Sequence, residues 1–380
     1  MGSNIDIRKV DGKADLKTFI ALTRDIYKND PHFIQPLAIE RLDVLSPDKN
    51  PWFQHGEACY WIAWRGDKPV GRISAQIDQL SLEKIDPDLG HFGLFECFDD
   101  DEVADALLTT ATDWLKSKGM TAMSGPYNLS INEECGLLVD GFNDPPMIMM
   151  GHARPYYQRM VEARGFEKQK DLYAYFVTAL VPWPDKFLRV IALAERNKAI
   201  NIRPIDMKNY EAELDVVFDI FNDAWSDNWG FLPFTKNEGL HAAKSLKPLI
   251  KPHRAMIAEY DGKPAAFMVC IPDINTHIRD LDGRLFPFGW IKLLWRMLRD
   301  DEHVVRVPLL GIKKDYQSTK HGALMAILLI NLIRVNIEKN GGAQRAELGW
   351  ILEDNMPMRN ILEQAGAKIY KTYRIYRREI

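Results

Sequence analysis

Ten residues of this chain recur without a gap. Ile62-Ala63-Trp64-Arg65-Gly66-Asp67-Lys68-Pro69-Val70-Gly71 is matched by Ile257-Ala258-Glu259-Tyr260-Asp261-Gly262-Lys263-Pro264-Ala265-Ala266, 195 residues further on. Each reads as strand, two-residue turn and strand, the pattern of a β-hairpin. A second pair keeps the same order: Met160 to Phe166 corresponds to Ile361 to Ala367, with Gly165 and Gly366 201 residues apart. Between these marks, an amphipathic helix from Asp101 to Lys118 takes the place of a longer helix after Gly322. Two copies of one unit account for 380 residues, and each half is large enough to bury its own core. The repeat therefore predicts domains at 1–180 and 200–380. Residues 181–199, Val181-Pro182-Trp183-Pro184 and a crossover helix through Lys198, form the join.

The second copy carries the more telling chemistry. Val304 to Ile312 is an apolar, β-branched run of strand length, Lys313 to His321 is a polar turn, and Gly322 opens a helix apolar nearly all round. The first amides of such a helix have no intrahelical partner, and its dipole adds positive potential. A strand, short turn and helix starting at glycine thus suit an anion, with Gly322 expected to let the ligand approach the backbone.

The turn reads Gln317-Ser318-Thr319-Lys320-His321-Gly322. It resembles the pyrophosphate loop of the GNAT superfamily of N-acyltransferases, Q/R-x-x-G-x-G/A, with Lys320 in place of the first glycine. Downstream, Arg345 to Ile351 as a strand, Asn355 just past it, a short helix ending at Gly366 and a strand from Ala367 to Tyr376 are similar to the close of a GNAT domain. The resemblance covers some seventy residues in order. Two departures stand out: Ala367 follows the glycine where the family has Phe, and Leu362 occupies the place of the tyrosine that protonates the leaving thiolate in many members.

The resemblance implies an α/β (α+β) chain of two tandem GNAT-like domains, each a mixed, mostly antiparallel twisted sheet flanked by helices. It implies acyl-CoA, acetyl or long-chain, as co-substrate, held by Leu310, Gly311, Ile312, Gln317, Ser318, Thr319, Lys320, His321, Gly322, Ala323 and Asn355. Glu353 is the candidate base and Tyr373 a replacement for the acid missing at Leu362. In the first copy, Asp99-Asp100-Asp101-Glu102 stands at the corresponding helix start; acid there stabilises a helix but repels a diphosphate. That copy is expected to bind no CoA and to shape the acceptor side.

Composition narrows the partners. With 49 basic against 53 acidic residues, a net charge of −4, nothing draws the chain to nucleic acid. Cys59, Cys97, Cys135 and Cys270 lie far apart, which reads as reduced thiols in a cytoplasmic protein with no metal site. The N-terminus lacks the features of a secretory signal, and no uncharged apolar run reaches spanning length.

Two stretches exceed the minimal unit. The loop from Asn128 to His152 brings carboxylates, a histidine and methionines, and reads equally as a binding loop or as a surface loop packed on itself. The insertion from Thr276 to His303 contains an apolar segment at 285–298, in which Trp290, Leu293, Leu294, Met297 and Leu298 share a helical face beside Lys292, Arg296 and Arg299. Such a helix suits peripheral contact with the inner face of a membrane, an acyl-chain channel, or ordinary burial.

The tandem arrangement, the insertion and the C-terminal pattern are also similar to a bacterial group of ceramide-synthase-like N-acyltransferases, which join a long acyl chain to a sphingoid amine. An acetyltransferase of a small amine or peptide, a non-catalytic acyl-CoA-binding module and a purely structural module stay open, as does a homodimer.

Overall fold

The computed structural model describes residues 4–178, 182–299, 304–340 and 344–380. Val181 of the join and 300–303 of the insertion lie outside the described residues. The first half runs β1 (Ile5–Lys9), α1 (Gly12–Ile26), α2 (Ala38–Val44), β2 (Gly56–Arg65), β3 (Lys68–Asp78), α3 (Gln79–Lys84), β4 (Leu89–Cys97), α4 (Asp101–Ser117), β5 (Ala122–Gly125), β6 (Leu137–Asp140), α5 (Tyr156–Glu162) and β7 (Glu167–Thr178). After α6 (Asp185–Glu195) the order returns as β8 (Ile200–Pro204), α7 (Tyr210–Trp225), α8 (Lys236–Leu246), β9 (Ala255–Tyr260) and β10 (Lys263–Pro272). The chain ends with α9 (Asn275–Ile278), α10 (Gly289–Arg299), β11 (Val304–Ile312), α11 (Lys320–Asn340), β12 (Arg345–Leu352), α12 (Met356–Gln364) and β13 (Lys368–Glu379).

The repeated sequence forms repeated hairpins. Arg65 faces Lys68 across the first turn and Tyr260 faces Lys263 across the second. Asp261 and Gly262 both take positive φ, +49° and +76°, the backbone that a two-residue turn needs to match the twist of its strands. Beyond the hairpins the pattern persists. One set of strands is ordered β1-β2-β3-β4-β5 and the other β8-β9-β10-β11-β12, and in each only the last pair is parallel.

The chain divides into two compact units, but not at residue 180. The first comprises Met1–Leu172, Ile274–Trp295 and Lys371–Ile380; the second comprises Tyr173–Asp273 and Arg296–Tyr370. Two physical causes shift the division from the one read in the sequence. Ile278, Leu281, Leu285 and Leu293 of the insertion pack on Ile34 and Leu37 of the first unit, and Arg24 pairs with Asp282 at 2.9 Å. The end of β13 supplies strand partners to the first unit, with Tyr376–Glu379 on β5 and Thr372–Arg374 on β6.

In the second unit α11 is the central helix. Met325, Leu329, Ile333 and Ile337 pack on Ala258, Ala266, Met268, Val305 and Val307 of the sheet, while Leu324 and Ile327 meet Ile191 and Ala194 of α6. Residues Lys320–Lys339 are long and apolar enough to cross a membrane by length and composition, yet both faces of this helix are taken up inside the unit. Each buried Leu or Ile contributes about 1.5–3 kcal/mol, which fixes the start of α11 against the end of β11.

Candidate active site

The parallel pair β11 and β12 comes apart. Their register runs from Val304↔Arg345 to Val307↔Leu348 and stops, whereas β11 stays paired with β10 as far as Ile312↔Ala266. Pro308 is the next residue, and it has no N–H to extend a ladder. Beyond that point Pro308–Ile312 and Gly349–Leu352 are no longer paired with each other, which leaves a gap in the ladder between two backbone edges.

Charge is buried where the gap begins. Arg306 and Glu347 face each other in register, 3.0 Å apart and 3% and 0% exposed. Tyr370 donates its hydroxyl to the other Glu347 oxygen, and Arg306 also reaches the Gly349 carbonyl at 3.1 Å. Desolvating such a pair costs several kcal/mol per ion, so apolar residues of like volume would hold the strands as well or better. Sequence reading missed this trio, although a basic residue within Val304–Ile312 and an acidic one within Arg345–Leu352 were visible interruptions.

At the far end of β11 the chain turns through a 3-10 turn, Lys314–Tyr316, into a loop that is braced from behind and open in front. Gln317 is a brace: its side-chain amide donates to the carbonyls of Ile312 at 2.8 Å and Ala224 at 2.9 Å. Asp223 accepts from the Lys314 amide at 2.6 Å. Thr319 caps α11, donating its hydroxyl to the Tyr316 carbonyl at 2.6 Å and accepting from the Gly322 amide at 3.2 Å. The helix therefore begins at Lys320, two residues before the expected glycine. Ser318 is held at φ +60°, which costs a non-glycine residue about 1–2 kcal/mol. Among the described residues, the amides of Ser318, Lys320 and His321 have no hydrogen-bond partner. Gln317, Ser318, Lys320 and Ala323 are exposed, while the His321 ring lies against Tyr260 at 4.8 Å. Three unpaired amides at the start of a 21-residue helix make a cradle for a polyanion.

Gly322 has a different reason from the expected one. A Cβ there would stand 2.2 Å from the Tyr316 carbonyl oxygen, so the glycine admits the protein's own turn rather than a ligand. Gly311 likewise makes room for Trp225 and Phe267. Leu310 and Ile312 pack toward the sheet-and-helix core, leaving the strand's backbone edge as its contribution to the gap. Asn355 caps α12, its side chain accepting from the Met358 amide at 3.3 Å. Glu353 is half-buried just past β12 and its carbonyl receives Arg359 at 2.5 Å. Leu362 is buried beside Tyr175, whose hydroxyl donates to Glu363 at 2.7 Å and accepts from Arg359 at 3.1 Å; burial pushes this phenol up. Tyr373 lies in the first unit, fully buried, with its hydroxyl on the Gly151 carbonyl at 3.3 Å.

No family model matches the sequence. Two curated relatives match along nearly its whole length. One, named bacterial ceramide synthase, from Caulobacter vibrioides (strain NA1000 / CB15N), is 41% identical over 379 residues, 100% of this chain and 98% of the relative. The chain belongs to the bacterial ceramide synthase family. Protein YghO of Escherichia coli (strain K12) is also 41% identical, over 98% of this chain and 95% of its own. Among solved structures, the ceramide synthase family member is similar in fold to a tandem GNAT protein from the clavulanic acid biosynthesis pathway, with a TM-score of 0.57 at 10% identity, covering 99% and 98% of the two chains. A GCN5-related N-acetyltransferase from Sphaerobacter thermophilus gives 0.53 at 12% identity, covering 99% and 95%. The fold is thus that of the tandem GNAT proteins, and the enzyme is an N-acyltransferase.

In this ceramide synthase family member the first unit has the same parallel pair, β4 and β5, joined from Leu89↔Ala122 to His91↔Ser124. The chain's own next residues follow. The Tyr127 amide donates to the Phe92 carbonyl at 2.7 Å, Asn128 accepts from the Leu94 amide at 2.9 Å, and Gln76 donates to the Tyr127 carbonyl at 2.6 Å. A Cβ at Gly93 would stand 1.7 Å from that carbonyl. At the start of α4 the Asp100 carboxylate takes the amides of Glu102 and Val103 for itself. The long loop is tied down in the same manner: Arg41 and Asn128 bind Glu134, and His152 meets Asp30 at 3.1 Å. On β4, burial pushes the Glu96 carboxyl up, and it accepts from Tyr27 at 2.6 Å and Tyr157 at 2.8 Å.

Proposed function

We propose that the enzyme transfers a long acyl chain from acyl-CoA to the primary amine of a lipid of sphingoid type, at the inner face of a membrane. The observation that carries the reading is the gap between β11 and β12 ending on a loop with three unpaired amides. The diphosphate of the donor sits on Ser318, Lys320 and His321, and the pantetheine arm follows the free edge of Pro308–Ile312. The relative named ceramide synthase supports the lipid acceptor and the long-chain donor. The first unit, whose corresponding gap is occupied by Tyr127 and Asn128, holds no CoA and serves the acceptor.

Attack of the amine nitrogen on the thioester carbonyl forms the C–N bond and breaks C–S. The nitrogen must shed one proton and the departing thiolate must gain one. Glu353, at the end of β12, receives the first, through water. Tyr370, already hydrogen-bonded to Glu347 at the mouth of the gap, supplies the second; Tyr373, engaged with Gly151 in the first unit, is set aside for that role. The test is mass spectrometry of products from palmitoyl-CoA or acetyl-CoA with sphinganine or a small polyamine, with free thiol followed in parallel. The long-chain amide of sphinganine is expected to dominate. Preference for acetyl transfer to the small amine would overturn the lipid reading, and absence of thiol release with every pair would overturn catalysis.

A further inference from the structure

Half of the large exposed hydrophobic side chains among the described residues fall in one short stretch. Phe286 and Phe288 are 72% and 73% exposed, and they lead into α10, where Trp290, Ile291, Leu294, Trp295 and Leu298 are all exposed, Leu298 at 75%. At 100° per residue these five occupy an arc of about 140° on one side of the helix. Leu293 points the other way, into the cluster of Ile278, Leu281 and Leu285. The stripe read from the sequence therefore mixes two faces: one anchors the helix, and the other is left bare.

The charged residues within the segment itself have one sign. Residues 283–299 include Arg284, Lys292, Arg296 and Arg299 and not one Asp or Glu. Arg299 and Lys292 follow one edge of the apolar arc, about 40° and about 60° beyond Trp295, while Arg296 lies on the opposite side of the helix; Lys292 is paired to Asp280. Burial in the protein, the dullest of the three readings of this segment, is excluded by the exposures. Two tryptophans, two phenylalanines and a cationic border match the interface of a bilayer, where aromatic rings sit at headgroup depth and basic side chains meet lipid phosphates. Each such cation raises partitioning onto an anionic surface roughly fivefold. Two copies of this chain brought face to face here would oppose like charges instead.

We infer that the 286–299 face docks the enzyme on anionic bilayers. The inference deepens the lipid-acceptor reading, since an amine with long alkyl chains must be collected from a membrane. Its test does not involve turnover, so either can fail without the other. The full chain is floated with vesicles of phosphatidylcholine alone or of phosphatidylcholine with phosphatidylglycerol, at low and high salt. Binding is expected to be at least roughly tenfold stronger to the anionic vesicles and to weaken with salt. Leu294→Glu with Leu298→Glu abolishes it, and Phe288→Ser, outside the helix, weakens it; because all three side chains are exposed, melting temperature and CoA affinity stay as in the parent. No binding to either vesicle, or binding that survives the double substitution, overturns the inference. So does a dimer in sedimentation that the double substitution splits while vesicles are ignored, which would make a second copy the occupant.

Discussion

Replacing Lys320 by Glu should weaken CoA binding while making the protein slightly more stable. Lys320 is the first residue of α11, is exposed, and has no partner among the described residues. An acid at a helix N-terminus is favourable by about 0.3–1 kcal/mol, so the melting temperature should hold or rise. A diphosphate on the Ser318, Lys320 and His321 amides would meet the opposite outcome. At roughly 8 Å in a water-like medium each pair of charges interacts by about 0.5 kcal/mol, so reversing one charge against two costs about 2 kcal/mol, roughly a 30-fold loss of affinity at low salt. Isothermal titration with CoA beside a thermal melt reads both signs on one sample. An affinity within twofold of the parent, or one that falls only as stability falls, would refute the anion assignment.

Gly322→Ala places a methyl 2.2 Å from the Tyr316 carbonyl; it should cost about 1–3 kcal/mol in urea unfolding and raise the KM for acyl-CoA, and a loss below about 0.5 kcal/mol would show that the turn is not packed as described. Exchanging the Arg306 and Glu347 pair together for Met and Leu should leave stability equal or higher, as buried ion pairs often allow, while kcat falls by roughly 100-fold or more; unchanged turnover would make the trio structural alone. Burial pushes the His91 imidazole down to about 4, with Asp78 opposing. In the unfolded chain it titrates near 6.5, so between these values the unfolded state binds the extra proton and stability drains as pH falls, by about 3 kcal/mol in all. His91→Gln should flatten melting temperature against pH across that window, and an unchanged slope would refute the assignment.

Periodicity carries information about elements more faithfully than about sides. Val304–Ile312 was visible as a strand because a β-branched run of that length has few other uses, Arg345–Ile351 because of its place in the GNAT-like order, and the hairpin repeat revealed the duplication because its turn residues are stereochemically constrained. Pro308 marks in the sequence where the β11 and β12 pairing stops, whereas the backbone edge each strand offers there could not be read from the residues. Gly322 shows the limit plainly. A missing side chain announces close approach without naming the approaching group, and here that group is the Tyr316 carbonyl. Gln317 and Asn355 have the residue types of ligand contacts yet act as brace and cap, because their side chains find backbone partners within reach. The exchange of Ile274–Trp295 and Lys371–Ile380 into the first unit could not be read locally, since contacts with Leu37 or with β5 lie hundreds of residues away.

Amide hydrogen exchange on the full chain with and without CoA tests the central claim most directly. The account predicts new protection at Ser318, Lys320 and His321 and along Leu309–Ile312, with no change at Asp99–Val103. Protection at the start of α4, or none in the loop after β11, would contradict it.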